Sequence, residues 1–178
     1  MALESILVGI VVEEREPVSP WAETAVVPVA ALAGAPDAAP WTPLADDGSG
    51  RRRVYAGAAR LGFHRSETAS YRENLGTGEP KLWVVLRPTG RLPGPTGTLP
   101  AYDLCFVTAD PAEGEAFTQI PGDTVEPVPM PGEVVAALQA FIEAHHVERA
   151  FVKRRRGEAS EDAPRRGRGG RPTGEDDE

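Results

Sequence analysis

Proline stands at every second position of Val125-Glu126-Pro127-Val128-Pro129-Met130-Pro131. Each ring holds φ near about −65° and removes a backbone N–H, so no helix can run through the stretch. Its torsions are preset, and the spacing predicts an extended, stiff segment. Immediately after it, Val134, Leu138, Phe141 and His145 recur at helical spacing, flanked by Val135 and Ile142. The chain therefore changes here from a rigid extended segment to its best helix, over residues 132–146.

The remaining apolar residues fall in short runs. Residues 6–12 (ILVGIVV) are rich in β-branched side chains and end in acids, which predicts a buried strand. Residues 25–32 predict a second strand. Pro28 lacks a donor, so this strand should lie at an edge or carry a bulge. Residues 34–50 read as loop, with Trp41 close to Pro40 and Pro43 and pinning the loop to the core. Residues 53–55 and 58–64 read as strands interrupted at Gly57, the second alternating with Leu61 and Phe63 on one side. Ser66 is placed to cap a short helix over 67–75, stopped by Gly76. Residues 82–86 (LWVVL) form the clearest strand, 87–101 a loop, and 104–108 a further strand in which Cys105 is expected to be inert packing. Asp110 and Pro111 are suited to open a helical segment over 110–117. Strands and helices in no regular βαβ order imply an α+β fold, with a mixed or mainly antiparallel sheet and the C-terminal helix packed on one face.

Charge divides the chain. Residues 1–152 carry 11 cations against 20 anions, whereas residues 153–178 carry 8 against 7. An acidic body repels phosphate backbones, which makes nucleic acid an unfavoured partner for it. Hydrophobic residues are 40% of the chain and aromatics only 6%, giving an aliphatic core. From residue 157 onward apolar periodicity is lost, so residues 1–156 read as one globular domain and 157–178 as a disordered charged tail. The single Cys105 cannot form an internal disulfide or a CxxC metal pair, which fits a reducing compartment. The first residues have no positive n-region and carry Glu4 early, so they do not read as a signal peptide. With no stretch of membrane-spanning length, the expected location is cytoplasmic.

Candidate chemistry is sparse. His145 and His146 are adjacent, hence about 100° apart on a helix, and cannot jointly chelate one metal there. They read as a helix C-terminal cap, with His145 half-buried beside Phe141, against a metal or proton-transfer role. The densest polar stretch supplies His64, Arg65, Glu67, Tyr71 and Arg72. These side chains, with Arg87, either line an anion or substrate pocket or tie a strand to a helix. Phe151, Lys153, Arg154, Arg155 and Arg156 form a basic cluster, followed by another at residues 165–171. Neither has interleaved aromatics, so a docking or solubilising role outweighs nucleic-acid binding. No Walker loop, GxGxxG or HExxH occurs. No catalytic residue, metal or cofactor is expected.

The chain also resembles a bacterial family known as a domain of unknown function. The likeness is carried by Gly9-Ile10-Val11-Val12-Glu13, Ser19-Pro20-Trp21, Gly34-Ala35-Pro36 with Pro40-Trp41, and Tyr55-Ala56-Gly57. It continues through His64-Arg65-x-Glu67-Thr68-x-x-Tyr71-Arg72-x-Asn74-Leu75, Trp83-Val84-Val85-Leu86-Arg87 and Val107-Thr108-Ala109. It ends in the 125–131 proline block, His145-His146-Val147-Glu148 and Phe151-x-Lys153-Arg154. Genes of that family lie beside molybdenum-dependent formate dehydrogenase genes, and some relatives are labelled molybdopterin-guanine dinucleotide biosynthesis. A guanylyltransferase of that kind opens with a Gly-rich loop after its first strand; here Glu13-Glu14-Arg15-Glu16-Pro17 follows instead. The resemblance implies a non-catalytic accessory protein that binds a formate dehydrogenase subunit or maturation factor and assists assembly or molybdenum cofactor insertion. Its expected contacts are Trp41, Pro127, Pro129, Met130, Pro131, His145, His146 and the 151–156 cluster. The alternative is a nucleotide- or pterin-binding enzyme of molybdenum cofactor biosynthesis, gripping phosphate through His64, Arg65, Tyr71, Arg72 and Arg87. A third reading is a nucleic-acid-binding regulator acting through the basic tail.

Overall fold

The computed structural model describes residues 4–15, 25–46, 48, 51–89 and 102–146. The chain divides into two units, Met1–Val147 and Glu148–Glu178, and every described residue belongs to the first. The tail expected at 157–178 and the basic cluster at 151–156 lie outside the described residues.

Among the described residues, seven strands form two antiparallel sheets. The first joins β1 (Glu4–Arg15), β2 (Ala25–Ala33), β3 (Thr42–Asp46) and β4 (Arg51–Phe63) in the order β2-β1-β4-β3. The second joins β5 (Lys81–Pro88), β6 (Tyr102–Thr108) and β7 (Thr124–Pro129) in the order β6-β5-β7. Among the described residues three α-helices join them in an α+β architecture: α1 (Thr68–Gly76), α2 (Pro111–Phe117) and α3 (Gly132–His145). A one-turn 3-10 helix, Arg65–Glu67, precedes α1. Where the sequence suggested one sheet, there are two, both antiparallel.

One hydrophobic cluster draws on both sheets. β1 gives Val8, Ile10 and Val12; β4 gives Val54, Ala56, Leu61 and Phe63; β5 gives Leu82, Val84 and Leu86; α3 gives Val134, Leu138, Phe141 and Ile142. Burying each such side chain is favourable by about 1.5–3 kcal/mol for the larger ones.

The phase of this burial depends on bulges. β1 and β5 keep the simple period of two, but β2, β4 and β6 do not. In β4 the inward residues are 54 and 56, then 61 and 63, a change from even to odd. One extra residue produces it: Ile10 pairs with Gly57 while Val11 pairs with Tyr55. Gly57 sits there at φ 127°, a torsion that favours glycine. The expected interruption at Gly57 is therefore a bulge inside one continuous strand. β2 behaves alike. Val11 pairs with Ala30 and Val12 with Pro28, so Val29 is extra, and β2 is an edge strand. Both consequences expected of Pro28 occur together. In β6, Val85 pairs with Phe106 and Leu86 with Leu104, leaving Cys105 as the extra residue. Cys105 is exposed, against the expectation of packing, because the bulge turns it outward.

Two further expectations are corrected. The presumed loop at 34–50 contains β3, paired with β4 despite Pro43. Ser66 does not cap α1; it lies inside the 3-10 turn, and Glu67 precedes the helix without a side-chain cap. The capping expected at Asp110 is present: its carboxylate accepts the Ala112 N–H at 2.9 Å, with Pro111 at the start of α2.

Candidate functional site

Of the polar cluster that the sequence singled out, His64, Arg65 and Glu67 lie between β4 and α1, and Tyr71 and Arg72 lie in α1 itself. Tyr71 lies on the inner side of α1 and is 1% exposed. Its ring meets Phe63 edge-on at 6.3 Å, and its hydroxyl accepts the His64 backbone N–H at 3.3 Å. Burial pushes the phenol pKa up to about 12; the His64 hydrogen bond opposes the shift, and the nearby Asp110, Glu113 and Glu67 carboxylates add to it. Asp110 is also raised above the ordinary carboxylate range, chiefly by burial. The Ala112 N–H opposes this, and a hydrogen bond with Glu67 reinforces it.

Arg72 reaches the other way. Its guanidinium donates to His146 Nε2 at 2.7 Å, and His146 Nδ1 lies 3.0 Å from Thr68 Oγ1. Arginine offers only donors, so Nε2 must accept and the imidazole proton sits on Nδ1, facing Thr68. Thr68 in turn donates to the Arg65 carbonyl at 3.2 Å. This chain of bonds ties the residue after α3 to the start of α1. His145 lies half-buried with its ring 4.6 Å from Phe141, and its Nε2 is 3.6 Å from a Glu4 carboxylate oxygen. The two histidines are thus held separately, His146 by Arg72 and Thr68 and His145 beside Phe141 and Glu4. Among the described residues no group of three His, Cys, Asp or Glu is placed to hold a metal ion.

The sixth member of the expected cluster stands elsewhere. Arg87, on β5, binds Asp123 through two hydrogen bonds of 2.9 and 2.7 Å. Its charged form is stabilised by that hydrogen bonding and by the Asp123 charge, which in return holds Asp123 below the usual carboxylate range. Trp41 is partly buried against the core at φ 66°, its N–H donating to the Tyr55 carbonyl. Pro127 and Pro129 are exposed, Pro131 is half-buried, and Met130 is 8% exposed in the core. Phe151, Lys153, Arg154, Arg155 and Arg156 lie outside the described residues.

One cleft lies outside the candidate site residues that the sequence singled out. A cleft of about 470 Å³ is lined by Glu73, Asn74, Thr77, Glu79, Lys81, Trp83 and Pro111. Its back is rigid. Asn74, 2% exposed, donates through Nδ2 to the Lys81 and Ala109 carbonyls, both at 2.8 Å, and accepts the Lys81 N–H at 3.0 Å. One buried amide thereby joins α1 to β5 and to the end of β6. Trp83 is the half-buried wall, held by α2: a Cβ built on Gly114 would come 2.3 Å from Trp83 Cγ. Opposite Trp83 and Lys81 in register stand Pro127 and Pro129, on the same outer face of the sheet. No sequence window shows this cleft, since Glu73, Trp83 and Pro111 belong to three different elements. The one local signal was the alternation of β5, which places Trp83 opposite to Leu82 and Val84.

The proline parity also explains the edge. The Met130 N–H donates to the Pro80 carbonyl at 2.9 Å, so even-numbered positions of this segment point toward β5. Pro127 and Pro129 fall at positions whose missing N–H would face away from it. The ladder with β5 loses nothing, and at Pro127 and Pro129 the outer edge of β7 offers no donor to another strand.

No curated protein and no solved structure matches the chain. One family model does, over residues 7–155, which spans both sheets, α1 to α3 and the junction described above. The chain belongs to the family described as "Protein of unknown function (DUF3305)".

Proposed function

We propose that the protein is a non-catalytic accessory protein of the cytoplasm. It binds a subunit of a molybdenum-dependent formate dehydrogenase, or one of its maturation factors, and assists assembly or insertion of the molybdenum cofactor. The partner's identity rests on the sequence resemblance. The mode of action rests on how the side chains are used.

The carrying observation is the contrast between two surfaces. Around α1, Tyr71, Thr68 and His146 are engaged in internal hydrogen bonds, and Tyr71 is buried. Around Trp83, a stiff apolar wall with an ionic rim remains open. Preorganised aromatic and proline side chains lose little entropy on contact, which suits a surface that binds another protein.

The test is a strain in which the gene is deleted. Formate dehydrogenase purified from it should have reduced molybdenum content and activity, restored by the gene in trans. Enzyme already matured should run at full rate without the protein. Undiminished molybdenum loading in the deletion strain would overturn the reading.

A further inference from the structure

We infer that the cleft at Trp83 is the docking site for an extended, arginine-bearing segment of the partner. The inference rests on the accessory role proposed above. Its starting point is charge. Glu73 and Glu79 line the cleft and are exposed, and Glu73 has no hydrogen-bond or ion-pair partner among the described residues. Lys81 is the one cation of the lining, and its Nζ lies 3.7 Å from the Glu79 carboxylate. The rim is thus net anionic, in a body with 20 anions against 11 cations over residues 1–152. A nucleotide or pterin phosphate would meet like charge there, whereas a guanidinium would find Glu73 unpaired.

The wall selects the same occupant. Trp83 presents an aromatic surface, and arginine stacks on indole better than other cations do. The Trp83 indole N–H has no acceptor among the described residues, so it remains available to a carbonyl of an incoming backbone. Pro111 closes one side of the cleft. Pro127 and Pro129, in register with Trp83 and Lys81, continue its outer face beyond the lining. Rigid ridges of proline and tryptophan receive an extended chain that alternates projecting side chains. Strand addition at β7 is disfavoured because Pro127 and Pro129 offer no N–H, so the segment docks through side chains on the face.

The experiment titrates the full chain with a short acetylated peptide of alternating proline and arginine. A second peptide carries glutamate in place of each arginine. Binding is read by fluorescence anisotropy, and the contact is located by the Trp83 indole N–H resonance. The arginine peptide should bind, shift that resonance and weaken with added salt. Glu73→Lys, at an exposed helix position, should weaken it about tenfold or more, with the fold unchanged by circular dichroism. No binding at millimolar peptide, equal binding of both peptides, or indifference to Glu73→Lys overturns the docking site. The accessory role is read separately, by formate dehydrogenase loading in the deletion strain. If the gene restores loading and Glu73→Lys restores it equally well, the role stands and the docking site falls. If the arginine peptide binds as described but the gene is dispensable for loading, the docking site stands and the role falls.

Discussion

Asn74 shows how much a single buried amide can organise. Its three hydrogen bonds satisfy the Lys81 and Ala109 carbonyls and the Lys81 N–H. Replacement by alanine strands those groups, and each unsatisfied buried group costs about 1–3 kcal/mol. Asn74→Ala should therefore lower the unfolding free energy by about 2–4 kcal/mol in urea titration, allowing for partial rescue by water. Asp110 carries the opposite sign. Its carboxyl is raised above the ordinary range by burial and by Glu67, so the ionised form is disfavoured in the folded state. A raised folded-state pKa means that this contribution to stability declines as pH climbs through the shifted value. Asp110→Asn keeps a good capping side chain and removes the repulsion. Its melting temperature should exceed that of the parent at pH 7, and the advantage should shrink toward pH 3. Tyr71 produces an alkaline counterpart. Its phenol titrates near 12 in the fold against 10.0 for the ordinary group. Stability should be intact below pH 10 and fall between pH 10 and 12, by an amount on the order of 2 kcal/mol. Tyr71→Phe should flatten that segment of the pH–stability curve.

Among the elements, α2 lies directly against β5. Gly114 is the only residue type that fits over Trp83, because an added Cβ would sit 2.3 Å from Cγ and 2.5 Å from Cδ1. Gly114→Ala should cost about 1–3 kcal/mol through overpacking, even though alanine favours helix. Gly132→Ala, at the start of α3 with nothing within 4 Å, should be neutral or mildly stabilising. Differential scanning calorimetry of the two variants separates packing from propensity.

Element identity was largely legible in the residues. The β-branched run at 6–12, the clean apolar block at 82–86, the Asp110–Pro111 helix start and the helical spacing after Pro131 all specify their own local structure. What was not legible was phase. At Gly57, Val29 and Cys105 the inward face changes parity, and each change exists only relative to a straight partner, β1 or β5. A single strand read alone cannot show where its neighbour skips a residue. β3 was hidden for a related reason: an edge strand that bonds on one side tolerates Pro43, a residue that reads as loop. The polar stretch at 64–72 was correctly seen as dense, but density did not reveal direction. Tyr71 turns inward, Arg72 turns to His146, and Arg87, away on β5, is engaged by Asp123 just before β7. The Trp83 cleft, assembled from α1, β5 and α2, required the fold.

Over the described residues, two sheets with a shared core form a scaffold on which α1, β5 and α2 frame an open cleft with an anionic rim. The missing donors at Pro127 and Pro129 disfavour strand addition there, which suits the side-chain docking proposed above. Three exposed aliphatic residues of the first sheet, Leu7, Leu32 and Leu44, are a weaker surface, since no charge or geometry designates what covers them. Among the described residues no helix is long and apolar enough to cross a membrane. The most direct test of the account is purification of the tagged full chain, after reversible crosslinking, from cells producing a molybdenum-dependent formate dehydrogenase. The account predicts recovery of one of that enzyme's subunits or maturation factors in near-stoichiometric amount, depleted when Glu73 is changed to Lys. Recovery of the chain alone, from cells in which the enzyme is abundant and still being matured, would contradict it.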